Sequence, residues 1–207
     1  SGVGEATLAA APTQAQLDAV IAGYGMRYDY DSFGRRVKAI DANNNPSWFY
    51  YDSEGRLSHS INALGEVSET LYNRFGQADA VRRYATRLTA ANLATLTGGF
   101  ASATFRGLLV ASTSDQLTEY SYDLRGLMTR QIVKQSNQSA DDTITTSTYT
   151  QYGQLATQTR TIAAGRSTTA QFGYSLRGEL LAQTGDVGGI NFNSRIVYDA
   201  YGRVIQS

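Results

Sequence analysis

The chain has 207 residues, with 18 Lys and Arg balancing 18 Asp and Glu, one histidine and no cysteine. That balance gives no overall attraction to nucleic acid or anionic lipid, so neither is expected as a partner. Without thiols there are no disulfides, thiolate metal sites or cysteine nucleophile, and no apolar run is long enough for a membrane-spanning helix. Only 17% of residues are charged while 14 are tyrosine, a mixture suited to β-structure with polar faces.

Residues 1–23 form a lead-in, of which 13–22 reads as a short helix. Thr13 is its N-cap, Leu17, Val20 and Ile21 share a face directed at the first β-elements, and Gly23 ends it. From Tyr24 onward one phrase organises the chain, clearest as Tyr51-Asp52-Ser53-Glu54-Gly55-Arg56-Leu57. Variants begin at Tyr30, Tyr72, Tyr122, Tyr149, Tyr174 and Tyr198, each with glycine four residues later, at Gly34, Gly76, Gly126, Gly153, Gly178 and Gly202. Successive glycines lie 21, 21, 50, 27, 25 and 24 residues apart, which allows one hairpin per repeat with one long interruption.

The phrase reads as a hairpin tip. Asp31, Asp52, Asn73, Asp123, Thr150, Ser175 and Asp199 follow the tyrosines and can each accept a backbone N–H two residues on. Glycine then supplies a positive φ. Tyrosine and the residue two past glycine (Leu57, Ala78, Met128, Leu155, Leu180 or Val204, with Arg36 the departure) flank the turn on one face. Side-by-side hairpins are expected to stack the tyrosines into a ladder. Turns at the opposite ends are expected at Asp41–Pro46, Asn62–Gly65, Ser139–Asp142, Ala164–Gly165 and Gly185–Gly189. On this reading Gly55→Val costs far more stability than Ser58→Ala.

Repeats one to three occupy residues 24–81 and repeats four to seven 119–207, as one repeat domain interrupted by an insertion at 82–118. Within the insertion 89–97 reads as a short helix capped by Thr89 and stopped by Gly98-Gly99, and Phe100–Ala111 as β-favouring. Arg82, Arg83, Arg87 and Arg106 are expected on a solvated face or in salt bridges.

Tyr51–Leu57 and Tyr198-Asp199-Ala200-Tyr201-Gly202-Arg203-Val204 resemble YD repeats, with Tyr122–Leu127 and Tyr30–Arg35 close to the pattern. These are the repeats of bacterial Rhs proteins, of the B and C components of Tc toxin complexes, and of teneurins. The resemblance covers about three quarters of the chain. It implies an all-β fold, a spiral strip of antiparallel hairpins forming part of a hollow shell. It further implies a secreted or cell-surface setting, with the rest of the shell and an enclosed toxin domain as partners. Repeats at both ends suggest a longer parent, and self-association through open strand edges is expected. The aspartate-rich cleavage motif of many bacterial members is missing, so self-cleavage is not assigned.

The alternative is an adhesion or carbohydrate-binding module, with Trp48, Tyr84 and Phe100 as the exposed aromatic contacts. Catalysis is not expected. His59, the sole histidine, reads as a packed strand residue with no nucleophile and orienting acid beside it. The Asp-containing turns do not spell a calcium loop, and no cofactor is implied.

Overall fold

The computed structural model describes residues 13–134, 141–162, 166–186 and 192–206. Its helices are α1 (Gln14–Tyr24), α2 (Ala90–Leu93) and α3 (Ala103–Arg106). The remaining regular structure is β-strand, paired antiparallel with one exception. The all-β strip of hairpins expected from the sequence is what forms.

The chain divides into two compact units, Ser1–Glu69 with Tyr84–Ala111, and Thr70–Arg83 with Ser112–Ser207. In the first unit the strands are β1 (Arg27–Tyr30), β2 (Arg36–Ile40), β3 (Pro46–Tyr51), β4 (Leu57–Ile61) and the start of β5 (Val67–Tyr72). They pair in sequence order, each hairpin joining its neighbour. The insertion adds the short strand β7 (Gly99–Phe100), which runs parallel to β3 through Tyr50↔Gly99 and Tyr51↔Phe100.

Above this sheet sits a small core. Trp48 and Tyr50 of β3, Ile61 of β4 and Val67 of β5 are buried against Leu88, Leu96, Ala101 and Phe105 of the insertion. Strand alternation selects the face: Trp48 and Tyr50 point inward while Phe49 and Tyr51 are only half-buried. Phe105 lies flat on Tyr50, ring centroids 3.7 Å apart. Two glycines let the insertion approach the strip. Gly65 and Gly98 have φ +79° and +71°, and a Cβ on either would fall within 2.3 Å of the carbonyl oxygen of Leu88 or Val37 respectively.

Two expectations fail here. Phe100–Ala111 is not a strand beyond Phe100, because Ser102 accepts the N–H of Phe105 and starts α3 instead. Leu17 and Val20 of α1 are exposed rather than packed on the sheet, and the Ile21 side chain lies outside the described set. Ser58 is buried and its hydroxyl donates to the Tyr50 carbonyl, so Ser58→Ala carries a cost of its own beside Gly55→Val. Thr89 does cap α2, accepting from the Asn92 N–H. Two of the insertion's arginines are ion-paired, Arg87 with Glu66 and Arg82 with Asp115.

The second unit carries the end of β5 and then β6 (Ala78–Arg83), β8 (Gln116–Tyr122), β9 (Met128–Val133), β10 (Thr143–Tyr149), β11 (Leu155–Ile162), β12 (Arg166–Tyr174), β13 (Leu180–Gly185) and β14 (Phe192–Arg195). From β6 to β14 these pair in sequence order. The last hairpin, β15 (Val197–Tyr198) with β16 (Val204–Gln206), is a separate two-stranded sheet. Among its described residues this unit has no cluster like the first unit's core; most side chains are half-buried or exposed. Hydroxyls link the strands directly, Thr148 with Thr157 at 2.6 Å and Thr159 with Thr169 at 2.9 Å. Asp142, expected to close a turn, is buried and accepts from Lys134 Nζ at 3.0 Å. Residues 139–140, 164–165 and 187–189 of the expected turns lie outside the described residues.

Candidate functional site

All seven phrases close in the same way. The N–H after the tyrosine donates to the carbonyl four residues on, and the glycine N–H donates back, at 2.8–3.1 Å. Every phrase glycine has φ between +75° and +87°, the left-handed region that a Cβ strains. The side chain after the tyrosine finishes the turn. Asp52 Oδ1 accepts the N–H groups of Glu54 and Arg56, and its Oδ2 accepts from Arg56 Nε at 2.7 Å. Asp31, Asn73, Asp123, Thr150, Ser175 and Asp199 likewise accept from residues two and four on.

A matched pair, missed in the sequence, spans each tip. Asp31, Asp52 and Asp199 face Arg35, Arg56 and Arg203. Where the acid is replaced, the partner changes too: Asn73 donates to Gln77, Thr150 to Gln154 and Ser175 to Glu179. Asp123 has Leu127 at that position and uses Arg125 instead. Spacing of four residues made this readable in principle. The opposite-end turns at Asp41 and Asn62 use the same closure, with Asn44 at φ +61° replacing glycine in the first.

The tyrosines do flank the turns: Tyr51 pairs with Leu57, Tyr122 with Met128, Tyr149 with Leu155, Tyr174 with Leu180 and Tyr198 with Val204, each just after a register shift. The expected ring ladder is not what links them; the ring contact seen between a phrase tyrosine and another tyrosine is that of Tyr30 with Tyr28, within one strand. Instead the hydroxyl reaches back one hairpin. Tyr51 donates to the Arg36 carbonyl, Tyr122 to Ala78, Tyr149 to Met128 and Tyr174 to Leu155, at 2.7–2.9 Å. Each acceptor stands two residues past the previous phrase's glycine. Strand geometry explains the substitution, since side chains stand away from the sheet and a phenol's length suits a backbone one hairpin away. Arg36 fits its apolar position by laying its guanidinium on the Phe49 ring.

Tips are also tied to one another. Within the second unit Gln77 donates to the Gly126 carbonyl, Arg125 to Thr150, Gln154 to Gly178 and Arg177 to Ala200. In the first, Arg35 sits over the Tyr51 ring at 4.6 Å. Within each unit, therefore, neighbouring tips are stitched together.

Charge at the tips has a pH signature. Desolvation raises the Asp52 carboxyl, but the Arg56 backbone N–H and guanidinium outweigh it and hold the carboxyl below its ordinary value. The Leu127 and Arg203 N–H groups do the same for Asp123 and Asp199. A carboxyl lowered on folding stabilises above its unfolded value of about 3.9, and that contribution disappears as pH falls through the folded value. The urea midpoint followed by Trp48 fluorescence is thus expected to hold from neutral pH to about 5 and to drop below about 4. Asp52→Asn keeps both N–H acceptors, as Asn73 does, so it should make that acid drop shallower. An identical drop in the variant would sink this role for Asp52.

The three candidate contact residues do not share a surface. Trp48 is 5% exposed, in the core, which overturns its reading as an exposed contact. Tyr84 is half-buried and donates to Glu69 Oε2 at 2.8 Å. Only Phe100 is exposed. His59 is packed, as expected, yet it does have polar neighbours: Ser58 Oγ lies 2.9 Å from Nδ1 and Glu69 Oε1 3.4 Å from Nε2. Phe105 meets its ring edge-on and Tyr84 closes the far side of Glu69. Ser58 and His59 are both buried, and the Ser58 hydroxyl donates to the Tyr50 carbonyl. The group anchors the insertion. No cluster of His, Asp and Glu suited to a metal occurs among the described residues.

No family model and no curated protein matches the chain. Solved structures similar to it include the crystal structures of TcdB2-TccC3-Cdc42 (TM-score 0.38, 13% identity), of TcdB2-TccC3 without hypervariable C-terminal region (0.35, 14%) and of TcdB2-TccC3-TEV (0.35, 14%). Each match covers 87% of this chain and 11% of the other, so the chain spans about a ninth of their length. At those scores the likeness assigns neither function nor partner.

Proposed function

We propose that this chain is a wall segment of a hollow β-shell that encloses a toxin cargo, in a secreted protein of the Rhs or Tc type. One observation carries the reading. Successive hairpins are joined both by strand pairing and by the same tyrosine-to-carbonyl bond, repeated four times. A strip built so is stiff without needing a thick core, which is what a wall requires. The seven YD-like phrases supply the link to shell-forming toxins. Its role is structural, and the partners are the remaining shell and the guest. Among the described residues no helix is long and apolar enough to cross a membrane.

The adhesion reading keeps only Phe100 of its three aromatic contacts as an exposed side chain. Limited proteolysis of the full-length protein carrying this segment tests the wall. The segment following the repeats should resist cleavage until the repeats are unfolded; cleavage as fast as that of the isolated segment would refute enclosure. Glycan-array binding lost on Phe100→Ala would move the assignment to adhesion.

A further inference from the structure

Turn residues on a hairpin tip are ordinarily polar, yet five successive tips in the second unit each present one large apolar side chain. Leu124 and Leu176 are fully exposed, and Phe75, Tyr152 and Tyr201 keep 71–86% of their surface. Neither the turn closure nor the hydroxyl stitches use these side chains. We propose that this row is a dimer seam that takes the same row of a second copy of this chain.

Area, spacing and charge support that occupant. The five side chains expose roughly 800 Å² together, about the amount one partner contributes to a stable interface. The row is pre-organised, because bonds from Gln77, Arg125, Gln154 and Arg177 tie each tip to the next. That rigidity lowers the ordering cost of association. Neighbouring tips of the continuous sheet stand two strands apart, about 9.6 Å. A second copy repeats that spacing by construction, and a two-fold axis sets the row against itself. A helix offers two turns per about 10.8 Å and slips out of step by more than 3 Å across three intervals.

The five tips carry four arginines (Arg74, Arg125, Arg177, Arg203) against three carboxylates (Asp123, Glu179, Asp199), a net charge of +1. Asp123 and Asp199 are already paired with Arg125 and Arg203. Two such rows repel little, and an anionic surface gains little from one. The seam does not depend on a guest being enclosed, so it stands or falls apart from the wall reading.

Sedimentation velocity of the whole chain tests it. The chain should be dimeric at roughly 100 µM, and Phe75→Ser/Leu124→Ser/Leu176→Ser should raise the dissociation constant at least ~100-fold with unchanged circular dichroism. Leu124→Glu alone, which places like charges together across the two-fold axis, should give the same loss. A monomeric wild-type chain would overturn the proposal. So would a dimer that survives the tip variants but not Ser194→Pro in edge strand β14, which assigns association to the strand edge. Co-sedimentation with phosphatidylcholine vesicles that the tip variants abolish would assign the row to lipid instead.

Discussion

Gly98→Ala is expected to lower the stability of the first unit by about 3 kcal/mol, against about 1 kcal/mol for Gly34→Ala. Both glycines have positive φ, +71° and +75°, so both variants carry the left-handed strain of a Cβ. They differ in surroundings. At Gly34 nothing lies within 4 Å of the added atom, whereas at Gly98 it would sit 2.2 Å from the Val37 carbonyl oxygen and 2.9 Å from the Val37 Cβ. Backbone on both sides must then move, which adds an overpacking cost of about 1–3 kcal/mol. Trp48, the single tryptophan, is buried in this unit and reports its urea midpoint by fluorescence. Equal losses for the two variants would show that Gly98 is needed only for its dihedral angle, and that the insertion is not pressed onto β2.

Phe105→Ala should cost about 3–5 kcal/mol, the range for deleting a buried aromatic ring. Phe105 is 4% exposed, stacked on Tyr50 and set edge-on to His59, so its loss leaves a cavity between the insertion and β3–β4. The measurable sequel is a red shift of Trp48 emission together with faster proteolysis inside 84–111. Phe100→Ala, five residues earlier in the same insertion, should cost far less, about 1 kcal/mol or below, because more than half of its surface is already in solvent. Unaltered proteolysis in Phe105→Ala would mean that the insertion is held by its backbone bonds, such as Leu88 N–H to the Gly65 carbonyl, rather than by its core.

Most of the tip could be read from sequence because its chemistry is local. An acceptor side chain, a glycine and a strand residue on either side lie within seven positions, and each has a direct conformational meaning. The tyrosine's own partner could not be read. Its acceptor is 15 to 44 residues upstream, and a repeat pattern indicates that two residues recur together without saying which atoms meet. Trp48 was misplaced for a related reason. Within Ser47-Trp48-Phe49-Tyr50-Tyr51 every residue but the first is aromatic, so period two is invisible until something covers one face. That cover is the insertion, with Leu88, Leu96 and Phe105 far along the chain. The Asp-to-Arg and Asn-to-Gln matching across the tips was in view all along, four residues apart, and needed only to be compared between repeats.

The bond from Tyr122 to the Ala78 carbonyl spans 44 residues of sequence, whereas that from Tyr149 to Met128 spans 21, yet the two are the same bond to within 0.1 Å. Consecutive tips are therefore indifferent to how much chain is spent between them. Loop length on the far side of the strip becomes a free variable for evolution. New segments can be trialled there, as covers, recognition loops or nothing at all, while the course of the strip is left unchanged.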